Sequence, residues 1–277
     1  MKTILLPTDF SDNAKNAILY AIELYKNQEV NFILLNAYHP THDDIANTIT
    51  GGSLNDLLNR ASEKQLQELI NEIKVNHNYN KHHAFSYKSA FGSLVEILSR
   101  FTQKHPVDLI VLGAKGMSAV EKIVFGSNTY AVIKEIDCPA LVIPDNTLFI
   151  KPANIGIATD FKELKNKAIF SVLKSIKEDY QPKITLFNVT EEDKLITDKE
   201  NIFTKSIANL LEIEHLSSDY FTNEDVIFGT NEFVNQRKIN LLVLINKKRS
   251  FLQNLFHISF TKQIAFHAEV PILVLHD

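Results

Sequence analysis

The sequence lacks several features that would assign it to common classes of protein. It has a single cysteine, Cys138, so no internal disulfide can form. Its first apolar run ends at Pro7 and is too short for a signal peptide, and no stretch approaches the roughly 18 apolar residues of a membrane helix. A dense lysine and arginine stripe is also missing, and the formal net charge is −4. We therefore expect a cytoplasmic protein that binds neither a membrane nor nucleic acid.

Glycine is scarce as well, with eight in 277 residues. The sequence contains neither the G-x4-G-K-[ST] pattern of P-loop nucleotide hydrolases nor the G-x-G-x-x-G pattern of classical dinucleotide-binding folds. Both classes are disfavoured.

The two halves of the chain repeat one another. Short segments recur in the same order, which indicates a duplicated domain. The matched segments are 3–10 with 154–161, 32–36 with 184–188, Phe91-Gly92 with Phe228-Gly229, 108–112 with 240–244, and 139–143 with 271–275. We predict domains over 1–146 and 152–277, joined by a short proline-bounded linker.

Each half alternates short apolar runs with helical patterns. Runs such as 109–112 are apolar on both faces, as expected of parallel strands covered by helices on either side. The pattern predicts an α/β chain of two doubly wound domains, each with a parallel sheet of five strands. Strands are expected near 3–8, 30–37, 83–89, 108–112 and 139–143, and near 154–158, 183–189, 213–220, 240–245 and 270–275. Ser11 stands at the expected N-cap of the first helix.

One glycine loop carries the functional signal. Gly113, Gly116 and Gly126 lie within 14 positions in the pattern G-x2-G-x9-G-S, between an apolar strand and a helix. Glycine allows backbone amides to approach a phosphate closely, and a helix N-terminus favours an anion. Lys115 adds a positive charge, while Ser127 and Thr129 add hydroxyl groups. The loop therefore predicts a phosphate-binding site at the carboxyl end of a parallel sheet.

These residues resemble those of the universal stress protein family, in its ATP-binding branch. The resemblance rests on the opening segment 7–11, the glycine loop and the closing segment 138–143, and it covers the whole chain as two domains. It implies a five-stranded parallel sheet with helices on both faces and a regulatory role in the stress response.

The resemblance also implies a set of ATP-binding residues. Pro7, Thr8 and Asp9 would meet adenine or ribose, Ala37 would line the adenine slot, and Leu112 and Gly113 would contact the ribose side. The phosphates would be surrounded by Lys115, Gly116, Gly126, Ser127, Asn128 and Thr129. Asn128 departs from the pattern, because many relatives carry a small aliphatic residue there.

The second half serves as an internal control for the loop. At a constant offset, Gly113 corresponds to Ile245, Gly116 to Lys248 and Gly126 to Ile258. A β-branched residue resists positive φ and would fill the phosphate space. Ser259 and Thr261 retain the hydroxyl groups of Ser127 and Thr129. We expect no ATP in the second domain by this mode.

Several residues have two readings. Asp9 persists as Asp160 in the half that lost the glycines, so it is either a ligand group or a local helix cap. Lys115 persists as Lys247 and is either a ligand group or a solvated loop charge. His39, His42, Asp43 and Asp44, with His82 and His83, match no zinc spacing and favour a solvated loop, so no metal site is assigned. Cys138 is expected to be a buried thiol.

Three functions stay open from the sequence. The main one is an ATP-binding regulator with an unidentified protein partner; the others are a slow ATPase or nucleotidyl-transfer enzyme, and an interaction scaffold without nucleotide. No catalytic residue is assigned. A triphosphate beside one lysine predicts Mg²⁺ held largely by water and phosphate oxygens. We expect strands 139–143 and 271–275 to pair within one chain, and a homodimer through other surfaces is possible.

Overall fold

The computed structural model describes residues 1–39, 54–76, 80–115, 126–246 and 270–277. Over these residues the chain forms two compact units, of which the first ends at Cys138 and the second begins at Pro139. This division precedes the linker expected around Pro144, because the strand in between packs within the second unit. The predicted domain limits, 1–146 and 152–277, describe the repeat and stay a prediction.

The first unit alternates parallel strands with helices, as its sequence pattern predicts. Its strands lie side by side in the order β3-β2-β1-β4. The elements are β1 (Lys2–Pro7), α1 (Asp12–Leu24), β2 (Val30–Tyr38), α2 (Leu54–Asn76), β3 (His83–Phe91), α3 (Leu94–Lys104), β4 (Leu109–Gly113) and α4 (Ser127–Glu135).

The second unit repeats this order as β8-β7-β6-β9 and extends it by β10 and β5. All its neighbouring strands are parallel except β5 and β10, which are antiparallel. The elements are β5 (Ala140–Ile143), β6 (Asn154–Ala158), a 3₁₀ turn (Lys167–Phe170), α5 (Ser171–Tyr180), β7 (Lys183–Thr190), α6 (Asp198–Leu211), β8 (Ser217–Thr222), α7 (Val226–Gln236), β9 (Leu241–Asn246) and β10 (Ile272–His276). Strand β8 begins at Ser217, later than the predicted 213–220, and α6 ends in a left-handed cap at Glu212.

Strand register makes the residues of the two units comparable. Ile4 pairs with Leu109 in the first unit, and Ile155 pairs with Leu241 in the second. The equivalence of Gly113 with Ile245 follows along these strands, as the sequence offset predicts. Asn36 in β2 is likewise equivalent to Asn188 in β7.

The predicted match of Phe91-Gly92 with Phe228-Gly229 is wrong. The amide of Gly92 donates to the carbonyl oxygen of Tyr38 at the end of β2. In the second unit the amide of Asn223 makes the same bond to Thr190, so Asn223 occupies the equivalent position. Gly92 adopts φ +129° before a helix, whereas Gly229 lies inside α7. The two Phe-Gly pairs thus serve unrelated purposes, and the second copy is shorter in this region than the repeat predicted.

Helix α1 begins where the sequence predicts. The Ser11 hydroxyl accepts a hydrogen bond from the amide of Ala14, and the apolar stripe through Ala17, Ile18 and Ala21 is buried. The second unit has irregular backbone after β6 and enters its helix only after the 3₁₀ turn. Of the helices that the structure describes, none has the length and apolar character needed to cross a membrane.

The expected pairing of the two last strands is confirmed by β5 and β10, in which Ala140 lies opposite Val274. We predict that Ala140→Cys with Val274→Cys, in a Cys138→Ser background, forms an intrachain disulfide in dilute solution. Opposed Cβ atoms of an antiparallel pair lie about 4.5–5.5 Å apart, and closure requires only a small adjustment.

The matched control is Ala140→Cys with Ile272→Cys, because Ile272 pairs with Val142 instead. Non-reducing electrophoresis should show a faster-migrating monomer for the first pair alone. Disulfide-linked dimers in place of that monomer would contradict the register.

Candidate functional site

A cleft opens at the carboxyl ends of β1, β2 and β4, where an open parallel sheet places its ligands. It encloses about 510 Å³ of space, which includes open solvent. Its lining includes most of the predicted site residues, namely Pro7, Thr8, Asp9, Ala37, Leu112, Gly113, Lys115, Asn128 and Thr129. Ala14 and Leu94 also line it, and neither was predicted.

The other predicted residues lie elsewhere. Gly126 is the N-cap of α4 and Ser127 its first residue, and both stand beside the cleft lining rather than in it. Gly116 lies outside the described residues, as do His42, Asp43, Asp44 and the second-half counterparts Lys248, Ile258, Ser259 and Thr261. His39 ends the described part of its loop.

The turn after β1 is held by its own side chains. The Thr8 hydroxyl accepts from the amide of Phe10 at 3.0 Å, and Phe10 takes the left-handed φ of 65°. Asp9 Oδ1 accepts from both the amide and the hydroxyl of Ser11, at 3.1 and 2.5 Å. Asp9 therefore fixes the N-cap residue of α1 in addition to lining the cleft.

The same turn occurs in the second unit. Thr159 accepts from the amide of Phe161, which has φ 53°, and Asp160 accepts from the amide of Lys162. Since the second unit lost the glycine loop yet kept this turn, the Thr-Asp-Phe sequence is explained by local structure. The structural reading of Asp9 gains weight, although its place in the cleft leaves a ligand role open.

A buried polar chain holds the base of the cleft. Asn36 donates its side-chain amide to the carbonyl oxygen of Thr8 at 2.7 Å and accepts from the hydroxyl of Ser62 at 2.8 Å. Ser89 donates to Ser62 at 2.8 Å. The amide of Thr8 meanwhile donates to Leu35. Strand β2 thus forms hydrogen bonds with both the amide and the carbonyl group of Thr8, and α2 supports Asn36 through Ser62.

Gly113 and Thr129 join β4 to α4. The Thr129 hydroxyl donates to the carbonyl oxygen of Gly113 at 2.9 Å, and the amide of Gly126 donates to Ala114. The Thr129 proton is therefore already committed, and toward a ligand this residue offers a lone pair or its backbone amide. Gly126 supplies no side-chain cap, so among the described residues no side chain caps the N-terminus of α4, an end that favours an anion.

Residue 113 has no room for a side chain. A β-carbon there would lie 3.0 Å from the backbone oxygen of Asn13 in the first turn of α1. Its equivalent in the second unit is the buried Ile245, and in that unit the helix begins later. A small residue at 113 is therefore required by helix packing as well as by an open cleft.

The second unit exchanges small and large residues at the equivalent place. Ala37 corresponds to the buried Val189. Counting from the N-caps Ser93 and Asp225, Ile97 corresponds to Gly229, where an added β-carbon would lie 2.7 Å from Val189 Cγ1. Helix α7 therefore packs directly on the valine. In the second unit the positions equivalent to Ala37 and Gly113 therefore carry the larger, buried side chains of Val189 and Ile245.

Aromatic rings replace the polar chain in the second unit. Register places Tyr220 at the position of Ser89. Its ring packs 5.4 Å from Phe161, which in turn lies 6.1 Å from Phe203. Tyr220 donates a hydrogen bond to Glu200, and burial together with that carboxylate raises the pKa of Tyr220 to about 12.

His83 and Cys138 belong to the core. The His83 ring bonds through Nε2 to the Tyr25 carbonyl oxygen and packs edge-on against Phe32, and burial lowers its pKa. Burial raises the pKa of Cys138 to about 12, and its thiol donates to Val107. Neither side chain is available for nucleophilic or metal chemistry at the cleft.

A model of the universal stress protein family matches residues 1–144. The chain belongs to this family. A universal stress protein of Thermus aquaticus is 30% identical over 142 residues, covering 51% of this chain and 98% of the relative. One from Methanocaldococcus jannaschii is 28% identical over 145 residues, covering 51% of this chain and 81% of the relative.

Solved structures extend the likeness in fold to both units. A universal stress protein from Archaeoglobus fulgidus superposes with a TM-score of 0.72 at 15% identity, covering 98% of this chain and 97% of that one. A structure from Pseudomonas aeruginosa gives a TM-score of 0.60 at 15% identity, covering 100% of this chain and 93% of its own. The doubly wound α/β prediction is confirmed.

The polar chain makes a prediction about stability. Ser62→Ala should lower the free energy of unfolding by about 1–3 kcal/mol, because it leaves the buried Asn36 carbonyl oxygen without its donor. Ser86→Ala, on the exposed side of β3, is the control and should change it by less than about 0.5 kcal/mol. Urea unfolding measures both, and equal effects would contradict the role assigned to Ser62.

Proposed function

We propose that the first unit binds ATP in the cleft and that the protein acts as a nucleotide-dependent regulator in the stress response. The observation that carries the proposal is the convergence of residues from β1, β2, β4 and α4 on one cleft beside a helix N-terminus. Family membership supports a role in the stress response. The ATP assignment rests on the cleft and on the resemblance of its loop to the ATP-binding branch.

The cleft divides into an apolar and a polar part. Pro7, Thr8 and Ala37 form a narrow wall suited to the adenine ring, and Leu112 with Gly113 would meet the ribose. Lys115, Asn128 and Thr129 would receive the phosphates, with Gly126, Ser127 and Gly116 contributing from the loop and the start of α4. The amides at that helix end and the lysine supply the positive potential that phosphates require.

Regulatory binding is favoured over catalysis. Among the described residues that line the cleft, the carboxylate is Asp9, and its Oδ1 accepts two hydrogen bonds from Ser11. This carboxylate therefore already has a structural task at the start of α1, and the sequence assigns no catalytic residue to the loop. We favour the regulatory role over the ATPase alternative on these grounds. The scaffold alternative applies better to the second unit, whose equivalent space holds Val189 and Ile245.

We further propose that Mg²⁺ accompanies the nucleotide. Neutralising the phosphate charge is the chemistry that the ion supplies. Because Asp9 Oδ1 already accepts hydrogen bonds from Ser11, the ion would be held largely by phosphate oxygens and water. A cytoplasmic location, a protein partner and a homodimer also stay proposals.

Calorimetric titration should give one ATP per chain, and Ala37→Val should weaken binding about tenfold or more. The added methyl groups enter the adenine slot, and overpacking of this kind costs about 1–3 kcal/mol. Val189→Ala is the matched control in the second unit and should leave ATP affinity unchanged. Two equivalent sites per chain, or full affinity in Ala37→Val, would refute the assignment.

Removing divalent ions should lower ATP affinity, because the triphosphate then faces one lysine and a helix end. The measurement is titration with ATP in EDTA and in excess Mg²⁺, at constant ionic strength. Adenosine provides the control, since it carries no phosphate and should bind equally in both. Unchanged ATP affinity in EDTA would exclude the ion from the complex.

A further inference from the structure

A second pocket lies in the second unit, at the opposite, amino-terminal edge of its sheet. It encloses about 540 Å³, including space open to solvent, and is lined mostly by polar side chains at the starts of β6, β7 and β8. Arg237, which ends α7, overhangs it, and the buried Ile239 forms its apolar wall. This pocket shares no residue with the ATP cleft.

The first unit shows what such an edge looks like when it is filled. Strand register makes Gly156 equivalent to Leu5 and Thr185 equivalent to Ile33. Leu5 is fully buried. In the second unit an added β-carbon at Gly156 would lie 3.3 Å from Ile239 and Phe187. Because Gly156 has no side chain, Ile239 can pack closely against β6. Thr185 has a hydroxyl group where Ile33 of the first unit has only hydrocarbon.

The pocket concentrates hydrogen-bond donors with a net positive charge. Lys183 and Arg237 provide two cations against the one carboxylate of Asp219, which accepts from Arg237 Nη2 at 2.5 Å. A guanidinium has five N–H donors in a planar fork, so this contact leaves the group able to hold a second oxyanion. The hydroxyl groups of Thr185 and Ser217 lie 2.8 Å apart beneath it.

We propose that this pocket binds a small oxyanion of the phosphate class. Arg237 would hold the anion with its planar fork and Lys183 would add charge. The Thr185–Ser217 hydroxyl pair would donate one proton from the floor, because the other proton lies between the two oxygens. Arg237 is anchored for this purpose, because Asp219 holds one side of the guanidinium and the Phe233 ring lies 5.8 Å from it. The second unit, in which Val189 and Ile245 stand at the positions of Ala37 and Gly113, would then bind a ligand at its other edge.

Amide NMR spectra of the ¹⁵N-labelled full chain, titrated with inorganic phosphate, test the proposal. Saturable shifts are expected at Thr185, Ser217, Ser218 and Asp219. The absence of shifts at these amides, at phosphate concentrations up to 20 times a millimolar dissociation constant, would overturn the proposal. Shifts confined to residues 112–129 would overturn it as well. The outcome does not depend on nucleotide binding, because the expected shifts fall on amides of the second unit and the ATP cleft belongs to the first.

Two variants and a control sharpen the result. Thr185→Ile restores the residue that the first unit carries, and Arg237→Gln removes the fork at an exposed position; each should weaken phosphate binding at least tenfold. Arg100→Gln removes an exposed arginine of the first unit and should leave binding unchanged. Weakening by Arg100→Gln equal to that by Arg237→Gln would show only a general charge effect, and unchanged binding in Thr185→Ile would exclude the floor from the site; either result would overturn the pocket.

A parallel titration with succinate separates phosphate from carboxylate ligands. Phosphate should bind more tightly, because its tetrahedral oxygens reach the guanidinium and the floor hydroxyls together. Tighter binding of succinate would overturn the phosphate assignment.

Discussion

The backbone of Asn13 lies so close to the end of β4 that a single β-carbon at residue 113 would come within 3.0 Å of it. This approach lets α1 begin at its N-cap directly after the turn and leaves the strand end open. The carbonyl of the same glycine accepts from Thr129 and so fixes the start of α4. The absent side chain at residue 113 thus accommodates the early start of α1, and the second unit, with Ile245 at this position, begins its helix later.

The sequence predicted most of this architecture, because the duplication presents the pattern of each strand and helix once in each half of the chain. Apolar strands and the Ser11 cap follow from local rules that hold in both copies. The failures come from tertiary contacts: Gly229 resembles Gly92 in sequence, yet it is small because α7 rests on Val189. The sequence alone could not reveal this difference, because glycine can be required both inside a helix and in the turn before one.

Most of the residues predicted for the site line the cleft, and the residues that support it were not predicted. Ala14 and Leu94 line it from helices whose apolar positions carry no functional signal. Asn36 could have been noticed, because the repeat preserves it as Asn188, but its bond to the Thr8 carbonyl depends on a long-range contact. Ser62 lies on a helix that follows residues 40–53, and no spacing rule connects it to β2. The two units therefore differ in packing. The first unit has hydrogen-bonded polar side chains behind the cleft, and the second has packed aromatic rings in the corresponding region.

The antiparallel pairing of β5 and β10 has a consequence for how the chain is made. Strand β10 lies between β5 and β9, and of the strands that the structure describes it is the last to be synthesised. Once β5 has been synthesised, this apolar strand lacks its neighbour β10 until some 130 further residues have been added. Exposed strand edges of this kind are where aggregation starts. The second unit therefore reaches its full sheet late in translation, and chaperone demand should be concentrated in that interval.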